Sequence, residues 1–119
     1  MNLSAKLQIK PGQTIALVNA PDGVPIDIPG GAQQDPARAD VVIAFVRTAA
    51  DLDGAARAAL KAARSDRLAW ISYPKAGQLG TDLNRDRLAA AVSGQGLRPV
   101  RQVSIDATWS ALRFRPDDT

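Results

Sequence analysis

The residues of this chain best suited to chemistry lie in two short stretches, one carrying Lys75, Thr81 and Asp82, the other Asp106, Thr108, Trp109 and Ser110. In the first, Lys75-Ala76-Gly77-Gln78-Leu79-Gly80-Thr81 joins a cation, two glycines and a hydroxyl, the ingredients of a loop that cradles a phosphate. In a P-loop the lysine follows the second glycine and stands directly before Ser or Thr. Here it precedes both glycines. The run reads either as a flexible connection into a helix or as an anion site in which Lys75 acts together with a helix N-terminus. The second stretch is similarly open. With Thr81 and Asp82 it reads as a small ligand pocket with Trp109 as a stacking wall. Alternatively, Asp106 and Thr108 close a hairpin turn through side-chain-to-backbone bonds, and Trp109 belongs to the core.

Composition limits the chemistry further. Cysteine and histidine are both missing, and every acidic residue is Asp. Disulfides, thiolate nucleophiles and zinc ribbons are thereby excluded, as is the commonest general base and transition-metal ligand. A metal site would have to be built from oxygen donors alone and would suit only hard ions; none is expected. Ser110 has no histidine to activate it and no Ser-x-x-Lys pattern, so no catalytic residue is assigned. Asp82 and Asp86 stand four apart, but Arg85 and Arg87 flank Asp86. Mixed charge at a helix start suits the helix dipole better than a metal.

The net charge is +3, and it is unevenly placed: residues 1–59 carry five basic and six acidic groups, residues 60–119 ten and six. Arg57, Lys61 and Arg64 form a basic stripe at helical spacing, and Arg98, Arg101, Arg113 and Arg115 enrich the end of the chain. Aromatic residues are too few to interleave with these cations, and no nucleic-acid-binding module is recognisable. A solvated basic face is the favoured reading over a nucleic-acid surface.

These residues need elements to position them. Pro11-Gly12 marks a turn, and Gln13-Thr14-Ile15-Ala16-Leu17-Val18 follows as a short apolar run, the pattern of a strand buried on both faces. Residues 24–28 form an edge strand at most, because Pro25 cannot donate to a ladder. Asp40 to Val46 is the clearest strand. Thr48-x-x-Asp51 resembles a capping box, ahead of Leu52, Ala55, Ala56, Ala59, Leu60 and Ala63 on one helical face. Leu68 to Tyr73 is a third apolar run, closed by Pro74. Asn84 is an N-cap, and Leu83 and Leu88 have the spacing of a hydrophobic staple. The helix then ends at Gly94 or Gly96. From Val103 to Phe114 the period changes to two, which predicts an antiparallel hairpin turning near Asp106-Ala107-Thr108. The sum is a single α/β domain over residues 1–119, with 1–5 and 116–119 frayed. Its sheet is expected to be mostly parallel with helical crossovers, Rossmann-like, and closed by the C-terminal antiparallel hairpin.

Tyr73-Pro74-Lys75, Thr81-Asp82-Leu83-Asn84-Arg85-Asp86 and Ile105-Asp106-Ala107-Thr108-Trp109-Ser110-Ala111-Leu112-Arg113-Phe114 together resemble a family of uncharacterised bacterial domains. In that family a Trp/Tyr-Pro-Lys turn, a Thr-Asp-Leu segment and an Asp-x-Thr-Trp-Ser-x-Leu pattern recur in this order. The likeness spans roughly residues 40–115 and implies no activity. A second resemblance rests on Lys10-Pro11-Gly12 before a strand and a terminal hairpin after Gly96-Leu97: the arrangement looks like a shortened S-adenosylmethionine-dependent methyltransferase fold. That fold carries a Gly-rich loop after its first strand, where this chain has Asn19-Ala20-Pro21-Asp22-Gly23, so no cofactor is expected.

No export signal or membrane-spanning run is visible, which points to a cytoplasmic protein. The functional expectation is a non-catalytic interaction or scaffold domain. The alternative is a protein that binds a small anionic molecule or nucleotide through the 75–82 loop, and nucleic-acid binding ranks third. Partners compatible with the sequence are a protein, a small anion, or a second copy paired through a strand edge.

Overall fold

The structure, a computed structural model, describes residues 3–21, 35–75 and 77–117. A one-turn helix, α1 (Leu3–Lys6), is followed by strand β1 (Ile15–Val18), strand β2 (Val41–Phe45), helix α2 (Arg57–Arg64), strand β3 (Leu68–Pro74), helix α3 (Arg85–Ser93) and the hairpin strands β4 (Leu97–Ser104) and β5 (Trp109–Pro116). The segment 24–28, expected as an edge strand, lies outside the described residues.

Local sequence explains the element ends. Lys10-Pro11-Gly12-Gln13 is a turn in which the Gln13 amide donates to the Lys10 carbonyl at 3.2 Å. Gly12 takes φ +86°, a conformation that a side chain would oppose. Thr14 and Asp40 then clip the starts of β1 and β2 together. The Thr14 amide donates to the Asp40 carboxylate at 2.9 Å, and the Asp40 amide donates to the Thr14 hydroxyl at 3.0 Å. That clip sets the parallel register of Ile15 opposite Val41. Before α2 the chain makes a 3-10 turn over Ala49–Asp53, where the Asp51 carboxylate accepts from the Arg47 amide at 2.8 Å. The predicted cap therefore closes this turn, and α2 itself starts only at Arg57. At α3, Asn84 accepts from the Arg87 amide at 2.9 Å. Leu83 and Leu88 are both buried in the same core cluster.

The five strands of the described residues form one sheet in the order β1-β2-β3-β5-β4. The pairs β1–β2 and β2–β3 are parallel; β3–β5 and β5–β4 are antiparallel. The mostly parallel sheet with helical crossovers that the sequence suggests is thus overturned: the sheet is mixed. The physical reason is the place taken by β5. It inserts between β3 and β4, pairing from Ala69↔Phe114 to Pro74↔Trp109 on one side and from Leu97↔Pro116 to Ser104↔Ser110 on the other. Helix α3 consequently carries the chain to a strand that is not the neighbour of β3, and only α2 joins two parallel neighbours among the described residues.

Among the described residues a Rossmann-like layering is not found either. Helices α2 and α3 share one face of the sheet, where Ala59, Leu60, Ala63, Leu88 and Val92 pack with Val42, Ala44, Ile71, Leu112 and Phe114. The opposite face buries Ile15, Ile43, Phe45, Trp70 and Ala111 together with Leu7. The indole of Trp70, fully buried, donates to the Leu7 carbonyl at 3.1 Å and ties the segment after α1 to the centre of the sheet. At the β4 edge, Pro99, a register shift at Val100, and Arg98 and Arg101 break up the row of pairing groups.

Candidate functional site

The carboxyl ends of the parallel strands lead into three connections: Asn19 after β1, Arg47–Thr48 after β2, and Lys75 after β3. Asn19 adopts φ +59° and donates its amide to the Phe45 carbonyl at 3.0 Å, joining the ends of β1 and β2. Lys75 turns toward the hairpin. Its amide donates to the Thr108 carbonyl at 2.7 Å, and its Nζ donates to Ser104 Oγ at 2.8 Å.

Thr81 and Asp82 turn the other way. The Thr81 hydroxyl donates to the Arg47 carbonyl at 2.6 Å and accepts from the Leu83 amide at 3.0 Å. The Asp82 carboxylate accepts from the Ala49 amide at 2.9 Å, and its carbonyl accepts from Arg87 Nη1 at 2.9 Å. The pair fastens the approach to α3 onto the chain leaving β2. Between Lys75 and Thr81 the backbone is left-handed at Gly77, Leu79 and Gly80, and Leu79 is exposed. The N-terminus of α3, which an anion site would need, already holds the Asn84 side chain.

Asp106 closes the hairpin. Its Oδ1 accepts from the amides of Thr108 and Trp109, each at 2.8 Å, the local bonding by which Asp holds a turn. Trp109 is 6 % exposed and meets Phe45 edge-on, with ring centroids 5.2 Å apart. It belongs to the sheet face of Phe45, Val103 and Ala111. Ser110, one residue on, points to the opposite face, in register with Tyr73 and Ser104. The structure thus joins Lys75 with Thr108, and Thr81 and Asp82 with the segment 47–49. It places Trp109 and Ser110 on opposite sides of the sheet.

A polar group not foreseen from the sequence lies on the helix-bearing face at this end. The Tyr73 phenol, 2 % exposed, accepts from Gln102 Nε2 at 3.0 Å. Burial pushes its pKa up, against the opposing influences of Arg85 and of hydrogen bonds with Gln102 and Ser110. The period of two in residues 102–110 held part of the signal, since it aligns Gln102 and Ser104. Finding Tyr73 beside them required the pairing of β3 with β5. On the other face, the Ser72 hydroxyl is buried without a partner among the described residues.

The basic residues divide into two groups. Near the end of the chain, Arg115 makes two bonds of 2.9 Å to the Asp66 carboxylate and holds its carboxyl below the usual range. Arg113 donates to Gln8 at 2.7 Å. The stripe on α2 is different: Arg57, Lys61 and Arg64 line an open cleft of about 960 Å³ with Leu52, Asp53 and Gln95. Arg64 donates to Gln95 at 2.8 Å. Among the described residues the side chains of Arg57 and Lys61 have no polar partner. Two smaller clefts, of about 440 and 230 Å³, open near Asp40 and Pro36. None of the three is lined by the seven residues singled out from the sequence.

Among the described residues no cluster of acidic side chains could hold a metal ion, and no helix is long and apolar enough to cross a membrane. Compared with family models, with curated proteins and with solved structures, the chain matches none of them. The likenesses to an uncharacterised bacterial family and to a shortened methyltransferase fold therefore stay expectations drawn from its motifs.

Proposed function

We propose that the chain is a non-catalytic interaction domain. The observation that supports this reading most directly is how the polar residues at the strand ends are used. Lys75 is bonded to Ser104, Thr81 and Asp82 to the Arg47–Ala49 backbone, and Asp106 to its own turn. Each closes a loop or hairpin, and removing such a partner leaves a donor or acceptor unsatisfied, at a cost of about 1–3 kcal/mol when the group is buried. A small anion held by Lys75 would have to displace the Ser104 bond and would find the α3 N-terminus capped by Asn84. On α2, by contrast, the side chains of Arg57 and Lys61 line an open cleft without a polar partner among the described residues.

The test is ligand-dependent stabilisation. A molecule that binds the folded chain at 100 times its Kd raises stability by about 2.7 kcal/mol, enough to move a melting temperature by several degrees in a domain of this size. ATP, GTP and S-adenosylmethionine at millimolar concentration are expected to leave the melting temperature unchanged and the emission of Trp70 and Trp109 unquenched. A shift of several degrees with any of them, lost in Lys75→Ala, would replace this reading by nucleotide or cofactor binding.

A further inference from the structure

Resting on the interaction-domain reading, we propose that the outer face of α2 is the docking surface, and that its occupant is an acidic amphipathic helix of a protein partner. Arg57, Lys61 and Arg64 stand at i, i+4 and i+7, on one side of α2. At a rise of about 1.5 Å per residue they are spaced about 6 and 10.5 Å along the axis, which matches carboxylates at the same spacing on a helix laid beside α2. Lys61 and Ala58 border both the 960 Å³ cleft and the 230 Å³ cleft that continues past Pro36 and Ala37. The two depressions therefore form one surface on either side of α2.

Its chemistry is complementary to such a helix. The cations supply the charge, while half-buried Leu52 and Ala58 offer apolar contact between them. Carboxylates are present too, but they are turned to other work or outnumbered. Asp35 accepts from the Ala37 amide at 3.0 Å, and Asp53 is the one acid on the larger cleft, against three cations. Neither Arg57 nor Lys61 is paired with it among the described residues. Single-stranded nucleic acid is the less suited occupant, because no aromatic residue lines either cleft to stack a base.

The probe is a 16-residue synthetic amphipathic helix with Glu at i, i+4 and i+7 and Leu along the adjoining stripe. Its controls are a scrambled peptide of the same composition and a 12-nucleotide single-stranded DNA. Binding is followed by amide shifts of the 15N-labelled full chain and by peptide anisotropy. Shifts centred on residues 52–64, binding at least tenfold weaker to the scrambled peptide, and a further tenfold loss in Arg57→Ala/Lys61→Ala are expected. Both substituted residues are exposed, and an unchanged melting temperature verifies the fold of the variant. Absence of binding, shifts centred elsewhere, equal binding of the scrambled peptide, or tighter binding of the DNA at the same residues would overturn the α2 proposal. None of these outcomes touches the interaction-domain reading, which fails separately if ATP, GTP or S-adenosylmethionine stabilises the chain.

Discussion

Tyr73 and Trp109 illustrate how much a residue's meaning depends on its surroundings. Both are aromatic, both stand at the carboxyl-proximal end of the sheet, and both are almost fully buried. Trp109 finds an aromatic edge and apolar neighbours; Tyr73 finds Gln102 and Ser110. Burial penalises the charged phenolate, so the folded-state pKa lies above the unfolded value of about 10. The linkage has a definite sign. This contribution to stability is fully present below the unfolded pKa, and it is lost as pH rises through the folded one. The chain has one tyrosine, so tyrosinate absorbance near 295 nm reports it directly. The native midpoint is expected above 10, returning to about 10 in strong urea. A native midpoint at or below the urea value would show that burial does not govern this group.

Among the elements, α3 depends most visibly on its cap. It is nine residues long, too short to be stable alone, and it buries only Leu88 and Val92 fully. Asn84 supplies its first turn with an acceptor, and the Leu83–Leu88 staple fixes its entry. Asn84→Ala is expected to cost about 1 kcal/mol, within the usual 0.5–2, and Leu88→Ala about 2–5 kcal/mol through loss of burial and a residual cavity. Urea unfolding with an unchanged m-value measures both. An Asn84→Ala loss as large as that of Leu88→Ala would mean that the approach to α3, clamped by Thr81 and Asp82, fails along with the cap. Gly96 ends the connection in a left-handed conformation, φ +80°, from which Leu97 enters β4.

At the scale of the whole molecule, the sheet is most securely held in its middle. β3 and β5 each have partners on both sides, and every residue of β3 is buried. β4 has a partner on one side only among the described strands and exposes most of its residues. Native-state hydrogen exchange is expected to be slowest in β3 and β5 and faster in β4. Protection in β4 equal to that in β3 would indicate that its outer edge is covered in solution, the signature of two copies pairing through the hairpin.

Much of the local plan was legible in the residues. The apolar runs around Ile15, Val41 and Leu68 became strands, the Ala-rich face from Ala59 to Ala63 became the buried side of α2, and Asn84 became a cap. These signals are local: periodicity, capping and turn chemistry act within a few residues. Asp106 was read correctly only as one of two possibilities, because an Asp near a turn can bind its own backbone or a ligand. In the structure its carboxylate accepts the Thr108 and Trp109 amides, the turn-closing arrangement of the first kind.

What the sequence by itself determined, then, was most of the strands, the core of the two longer helices, and the residue types present, with no thiol, imidazole or glutamate among them. What only the tertiary structure decided was neighbourhood. Period-two alternation identifies a hairpin but carries no information on which strand it joins. The choice rests on long-range burial that brought β5, not β4, against β3 and made the sheet mixed. The pleat of β5 alone puts Trp109 and Ser110 on opposite faces, whereas the pairing of β5 with β3 and β4 turned Lys75 toward Ser104. Of the seven residues that looked like one site in sequence, Lys75, Thr81, Asp82 and Asp106 bond across or within loops and Trp109 packs in the core, while Arg57 and Lys61 of α2 line an open cleft.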